Sequence, residues 1–144
     1  MNPTVYRSEH PGDLPALADK LLTTCNHARI FALYGDLGAG KTTLVKALCA
    51  RLGVRVPVTS PTFTLVHEYP GADGVIFHFD CYRLSDEAEA WELGFDEYLN
   101  SGQYCFVEWP ARIAGLLPSG TLHVYLTVEG EFSRTIEISE EPHG

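Results

Sequence analysis

The first regular pattern along the chain is helical. Leu14, Leu17, Ala18, Leu21 and Leu22 recur at the i, i+3, i+4, i+7, i+8 spacing, which lays one apolar stripe on a helix beginning near Asp13. The pattern then changes to a continuous apolar run, Ile30–Tyr34, a buried strand that breaks at Gly35. A glycine-rich turn covers 35–40, and Leu44, Val45, Leu48, Cys49 and Leu52 mark a second helix ending at Gly53. Residues 57–69 are rich in Thr and Ser and interrupted by Pro61, so this stretch begins as loop and ends as strand. After a turn at 71–74, residues 75–79 form a strand running into Asp80. A helical stretch over 86–99 follows, with Ser85 as N-cap and a break at Gly94. Residues 104–107 form another buried strand, and it ends at Glu108. Leu122, Val124, Leu126 and Val128 alternate with more polar residues, and the alternation resumes from Phe132 to Ile138, predicting an antiparallel hairpin at the sheet edge. Residues 139–144 read as a frayed tail. Strands alternating with helices predict a three-layer α/β domain over 1–144, its sheet mostly parallel with an antiparallel C-terminal edge hairpin.

Composition narrows the function. The 144 residues carry 10 Lys plus Arg against 19 Asp plus Glu, a net charge of −9. A stand-alone nucleic-acid binder needs a basic footprint, so direct gripping of DNA or RNA is not expected. No run approaches the roughly 20 apolar residues of a membrane span, and the first nine residues lack the basic and apolar regions of a signal peptide. Cys25, Cys49, Cys81 and Cys105 are widely spaced among apolar neighbours. They predict free thiols and a reduced, cytoplasmic setting rather than a disulfide framework or zinc knuckle.

The chemistry concentrates at Gly35-Asp36-Leu37-Gly38-Ala39-Gly40-Lys41-Thr42, a complete G-x-x-x-x-G-K-[ST] P-loop between a predicted strand and a predicted helix. This is the signature of a P-loop NTPase fold. Its glycines bring backbone N–H groups close to phosphate oxygens, and the helix N-terminus adds its own N–H groups and positive dipole end. Leu37, Gly38, Ala39, Gly40, Lys41, Thr42 and Thr43 are therefore the expected nucleotide-binding residues. Lys41 supplies a cation for the β- and γ-phosphates, and the Thr42 hydroxyl is placed to join a Mg²⁺ shell.

A bound Mg²⁺–nucleotide also needs a carboxylate, typically at the end of a neighbouring strand. Asp80 and Glu108 both fit, and spacing alone does not assign which binds metal and which orients water. His78 shares a strand face with Asp80, but without a third ligand it reads as a supporting or core histidine. Arg83 is placed to reach either a phosphate or the acidic helix. The segment from Thr59 to Thr64 occupies the position of a γ-phosphate-sensing switch. Trp109 stands beside a candidate catalytic carboxylate as a lid, an anchor or core, whereas Trp91 is expected in the core. The run Asp86, Glu87, Glu89, Glu92, Asp96 and Glu97 contains no basic residue and reads first as a solvated helix face.

Taken together, G-D-L-G-A-G-K-T-T at 35–43, S-P-T-F at 60–63, H-F-D-C-Y-R at 78–83 and V-E-W-P at 107–110 resemble the TsaE (YjeE) family of bacterial P-loop ATPases. A P-loop is shared by many families; the other three blocks, in this order, are far more particular. The resemblance implies catalytic roles for Lys41, Asp80 and Glu108, and metal binding by Thr42, Glu108 and Asp80. It also implies a first switch at 60–63, Trp109 near the nucleotide, and residues 8–13 near the adenine. The implied function is formation of N6-threonylcarbamoyladenosine at position 37 of tRNAs reading ANN codons. ATP and Mg²⁺ would serve a TsaB–TsaD heterodimer, with tRNA met only through that complex. Such indirect contact fits the acidic composition, and the acidic helix would suit a basic patch on the partner. Two other readings of the P-loop remain: a small-molecule kinase, which would need an arginine-rich lid that this chain lacks, and a non-catalytic nucleotide-gated module.

Overall fold

The computed structural model describes residues 4–142. One seven-stranded sheet runs through it. Its strands are β1 (Thr4–Ser8), β2 (Ile30–Tyr34), β3 (Val66–Pro70), β4 (Val75–Asp80), β5 (Tyr104–Glu108), β6 (Leu122–Val128) and β7 (Arg134–Ser139). Their order across the sheet is β1-β7-β6-β2-β5-β4-β3. The central pairs β6–β2, β2–β5 and β5–β4 are parallel, and the outer pairs are antiparallel. The expected parallel character therefore holds at the centre and gives way on both flanks.

Side chains alternate across the central strands and feed two cores. Phe31, Leu33, Phe106 and Ile76 pack under α1 (Leu14–Thr24) and α2 (Lys41–Arg51). Ile30, Phe77, Phe79, Cys105 and Val107 face the other way. Those pack under α3 (Glu87–Glu92), α4 (Phe95–Leu99) and a kinked 3₁₀ segment, Pro110–Leu116. This produces the expected three layers. The four cysteines are free and buried, and burial pushes the thiols of Cys49, Cys81 and Cys105 up to about 12. Among the described residues, no helix is long and apolar enough to cross a membrane.

Several local expectations are corrected. The C-terminal hairpin is not the sheet edge, because β1 adds outside β7. Backbone pairing holds β1 there, since its short polar sequence carries almost no apolar pattern of its own. The expected frayed tail starts too early: Ser139 is still in β7, opposite His123, and Glu140 meets His27 at 3.2 Å. Residues 143–144 of that tail lie outside the described residues. Gly94 does break the acidic helix into α3 and α4, but Asp86, not Ser85, caps α3 by accepting from the Glu89 N–H at 3.0 Å. Trp91 is 55% exposed, not core. On a six-residue helix the inward position goes to the fully buried Ala90, and the next residue turns about 100° toward solvent.

Candidate functional site

Strand β2 delivers the chain into the glycine loop, and α2 begins at Lys41. Gly38 and Gly40 take φ of 82° and 102°. A Cβ at either position would meet nothing within 4 Å. Glycine is needed here for its left-handed backbone, not for space. The Lys41 side chain is only 5% exposed and folds back over the loop, donating to the carbonyls of Gly35 and Asp36. Burial lowers its pKa, and the negative charges of Glu108, Asp80 and Asp36 oppose that shift without cancelling it. A second clamp comes from the start of β7. Arg134 Nε donates to the Ala39 carbonyl at 3.0 Å, while its terminal nitrogens reach Gly38, Gly130 and Ser133 carbonyls.

Neighbouring parallel strands bring the two carboxylates together. Asp80 and Glu108 are register partners at the ends of β4 and β5, and both are nearly buried. Their surroundings differ. Glu108 accepts from the Thr42 hydroxyl, 2.8 Å from Oε2 and 3.1 Å from Oε1, and from His78 Nε2 at 2.6 Å. Asp80 instead accepts from the Ser60 and Thr62 hydroxyls at 3.1 and 3.2 Å and from the Tyr82 N–H at 3.0 Å. Thus Glu108 is tied to the P-loop helix, and Asp80 to the hydroxyl-rich loop predicted as a switch. That loop is held at its start by Tyr69, whose hydroxyl bonds both the N–H and the carbonyl of Thr59. At its far end the Leu65 carbonyl accepts from the Asp80 N–H at 2.9 Å.

These groups line one cleft of about 410 Å³, bounded by Leu37, Gly38, Gly40, Lys41, Thr42 and Thr43 on one side. Ser60, Thr62, Asp80, Tyr82, Glu108 and Trp109 close the other. Trp109, in a left-handed conformation (φ 56°), stacks on the Lys41 ammonium at 4.0 Å and lies 4.9 Å from the Tyr82 ring. Ala39 is buried and lines a smaller, adjoining cavity of about 170 Å³. Pro11, Leu14, Leu126, Phe132 and Ile136 give that cavity apolar walls, with Ser8 and Arg134 at its polar parts. Ser8 and Pro11 come from the segment expected beside adenine.

Not every expected residue joins the cleft. Arg83 stacks its guanidinium over the exposed Phe63 ring at 5.0 Å and, among the described residues, forms no ion pair with the acidic helix. Sequence reasoning missed Arg134 and Tyr82. Arg134 has no local motif and reaches the P-loop only through sheet topology. Tyr82 carries a local signal: it sits two residues after the strand-terminal Asp80 within the H-F-D-C-Y-R block, where its N–H can turn back to the carboxylate.

The donor set is compatible with a hard divalent ion. Thr42, Glu108 and Asp80 offer oxygen only, and Mg²⁺ typically takes one or two carboxylates plus water and substrate phosphate. Among the described residues, no group of three or more His, Cys, Asp or Glu is arranged to hold a metal by itself.

Comparison with known proteins agrees with the sequence blocks. Residues 8–136 match the model of the TsaE family, described as threonylcarbamoyl adenosine biosynthesis protein TsaE. The tRNA threonylcarbamoyladenosine biosynthesis protein TsaE of Bacillus subtilis is 38% identical over 133 residues, covering 91% of this chain and 82% of that protein. The protein of the same name from Haemophilus influenzae is 42% identical over 106 residues, covering 74% of this chain and 66% of its own length. A crystal structure of Bacillus subtilis YdiB superposes with a TM-score of 0.75 at 33% identity, covering 95% of this chain and 84% of that one. The chain belongs to the TsaE family.

Proposed function

We propose that this protein is a Mg²⁺-dependent P-loop ATPase that supports formation of threonylcarbamoyladenosine on tRNA, acting on a TsaB–TsaD heterodimer. One observation carries the ATPase reading. The P-loop lysine, the helix-start threonine and two strand-end carboxylates line a single cleft, the set that phosphoryl transfer to water requires. Membership of the family supports the tRNA role, and the net charge of −9 supports contact with tRNA through a partner and not directly.

In this reading the loop N–H groups and the start of α2 hold the phosphates, while Lys41 releases the Gly35 and Asp36 carbonyls to neutralise β/γ charge. Thr42 and Glu108 are the residues that hold Mg²⁺, which supplies charge neutralisation at the phosphates when bound. Asp80 faces the same cleft without touching Thr42 and is assigned to orienting water. Its bonds to Ser60 and Thr62 let the 60–63 loop respond to the γ-phosphate. The smaller apolar cavity beside Ala39 suits the adenine, and Trp109 covers the lysine. Catalysis is then positioning plus electrostatics, with no covalent protein intermediate.

The decisive experiment is reconstituted tRNA modification measured over many turnovers at fixed ATP, with and without this protein. Wild type should sustain turnover and Lys41→Ala should not. Equal modification with either protein, or near-normal ATP hydrolysis by Lys41→Ala, overturns the reading.

A further inference from the structure

His78 sits behind the cleft, fully buried on β4. Its Nε2 lies 2.6 Å from Glu108 Oε2, whereas its Nδ1, also buried, has no hydrogen-bond partner among the described residues. A histidine kept only for packing is a poor choice there. An apolar side chain fills such space without leaving a polar atom unpaired. The arrangement makes sense if the other nitrogen does something an apolar group cannot. An ionised carboxylate only accepts hydrogen bonds, so Nε2–H is the donor, and in the neutral imidazole this leaves Nδ1 as an unpaired acceptor.

Glu108 has two side-chain donors here, Thr42 and His78. The Thr42 hydroxyl oxygen is also the group assigned to the metal, so its hold on the carboxylate must share that task. His78 has no second task. It stands on an inner strand, flanked by Phe106 of β5 and His67 of β3 in the register, and so presents a rigid donor. We infer that His78 is a positioning residue that fixes the Glu108 carboxylate for the divalent ion. It is not itself a ligand, since Nε2 is taken by the carboxylate. This inference rests on the nucleotide–Mg²⁺ reading above.

The test measures the rise in melting temperature with ADP as Mg²⁺ is titrated, beside ADP binding without metal. Gln places its amide nitrogen near the Nε2 position, and Asn places its own near Nδ1. His78→Asn should raise the half-saturating Mg²⁺ concentration about 10- to 100-fold, the usual cost of losing a group that orients a metal ligand. Metal-free ADP binding should be unchanged, and His78→Gln should restore most of the Mg²⁺ response. An unchanged Mg²⁺ requirement in His78→Asn, or equal loss in both variants, overturns the inference. Should His78→Asn fail to fold, ¹⁵N-imidazole NMR of wild type decides. A protonated Nε2 whose resonance shifts when Mg²⁺ joins the ADP complex supports the role, and a protonated Nδ1 with bare Nε2 sinks it. Absence of any Mg²⁺–ADP stabilisation in wild type would instead remove the nucleotide reading, and this inference with it.

Discussion

The Thr42 hydroxyl lies 2.8 Å from Oε2 of Glu108, joining the first turn of α2 to the end of β5 and distinguishing the surroundings of two carboxylates that look alike in sequence. Asp80 makes no such bond and holds Ser60 and Thr62 instead. Glu108→Gln should therefore act through the metal, lowering turnover about 100-fold or more and raising the Mg²⁺ requirement. Asp80→Asn should depress turnover with little change in the Mg²⁺ requirement. Steady-state ATP hydrolysis across a Mg²⁺ titration separates the two, and identical profiles would contradict the division.

Lys41 gives a prediction with a definite sign. Its pKa is lowered from 10.5, chiefly by burial, so the charged form is less favoured in the folded chain than in the unfolded one. Between the lowered value and 10.5 the unfolded state binds more protons, and stability rises with pH. The melting temperature of wild type minus that of Lys41→Met should thus climb as pH approaches 10.5 from below. Below the lowered pKa the difference should be flat. A difference that falls with alkalinity would mean that the surrounding carboxylates outweigh burial.

Much of this site was legible because its parts are local. The P-loop is eight consecutive residues, and Asp80 and Glu108 each announce themselves as the first charge after an apolar run. Their convergence was inferred from a parallel sheet, and the register of β4 against β5 places them as partners. What stayed hidden depends on tertiary pairing. Strand β1 has no apolar pattern and exists through its ladder with β7. Arg134 meets the Ala39 carbonyl only because the C-terminal hairpin folds beside β2. Trp91 misled because bulk and apolarity suggest burial, while the short α3 offers the core just one buried position, Ala90.

Arg134 should matter to affinity more than to chemistry. It ties the carbonyls of Gly38 and Ala39 to the β6–β7 turn, which braces the loop backbone on its carbonyl side. Arg134→Ala should weaken ATP binding about tenfold, roughly 1.4 kcal/mol, and leave kcat within about twofold because no reacting atom is touched. A fall in kcat with unchanged KM would place Arg134 in the reaction itself.

The acidic segment provides the last test, and the structure decides which of its residues belong in it. Glu87 Oε1 accepts from the Gly115 N–H at 2.6 Å, and Glu89 Oε1 accepts from the Ser85 N–H at 2.8 Å. Reversing either charge would damage the fold before it tested a surface. Glu92 and Glu97 are exposed, in the same acidic segment as the exposed Trp91 and Leu93. An exposed tryptophan on an acidic segment is the combination expected to anchor on a basic partner surface. Glu92→Lys with Glu97→Lys should slow association with a TsaB–TsaD heterodimer at low salt and leave melting temperature and unstimulated ATP hydrolysis unchanged. Trp91→Ala should instead speed dissociation, since the buried anchor and not the rim charges resists release. Binding kinetics at two ionic strengths read both effects. If neither variant alters either rate at low salt, this helix face is solvated surface and the partner docks elsewhere.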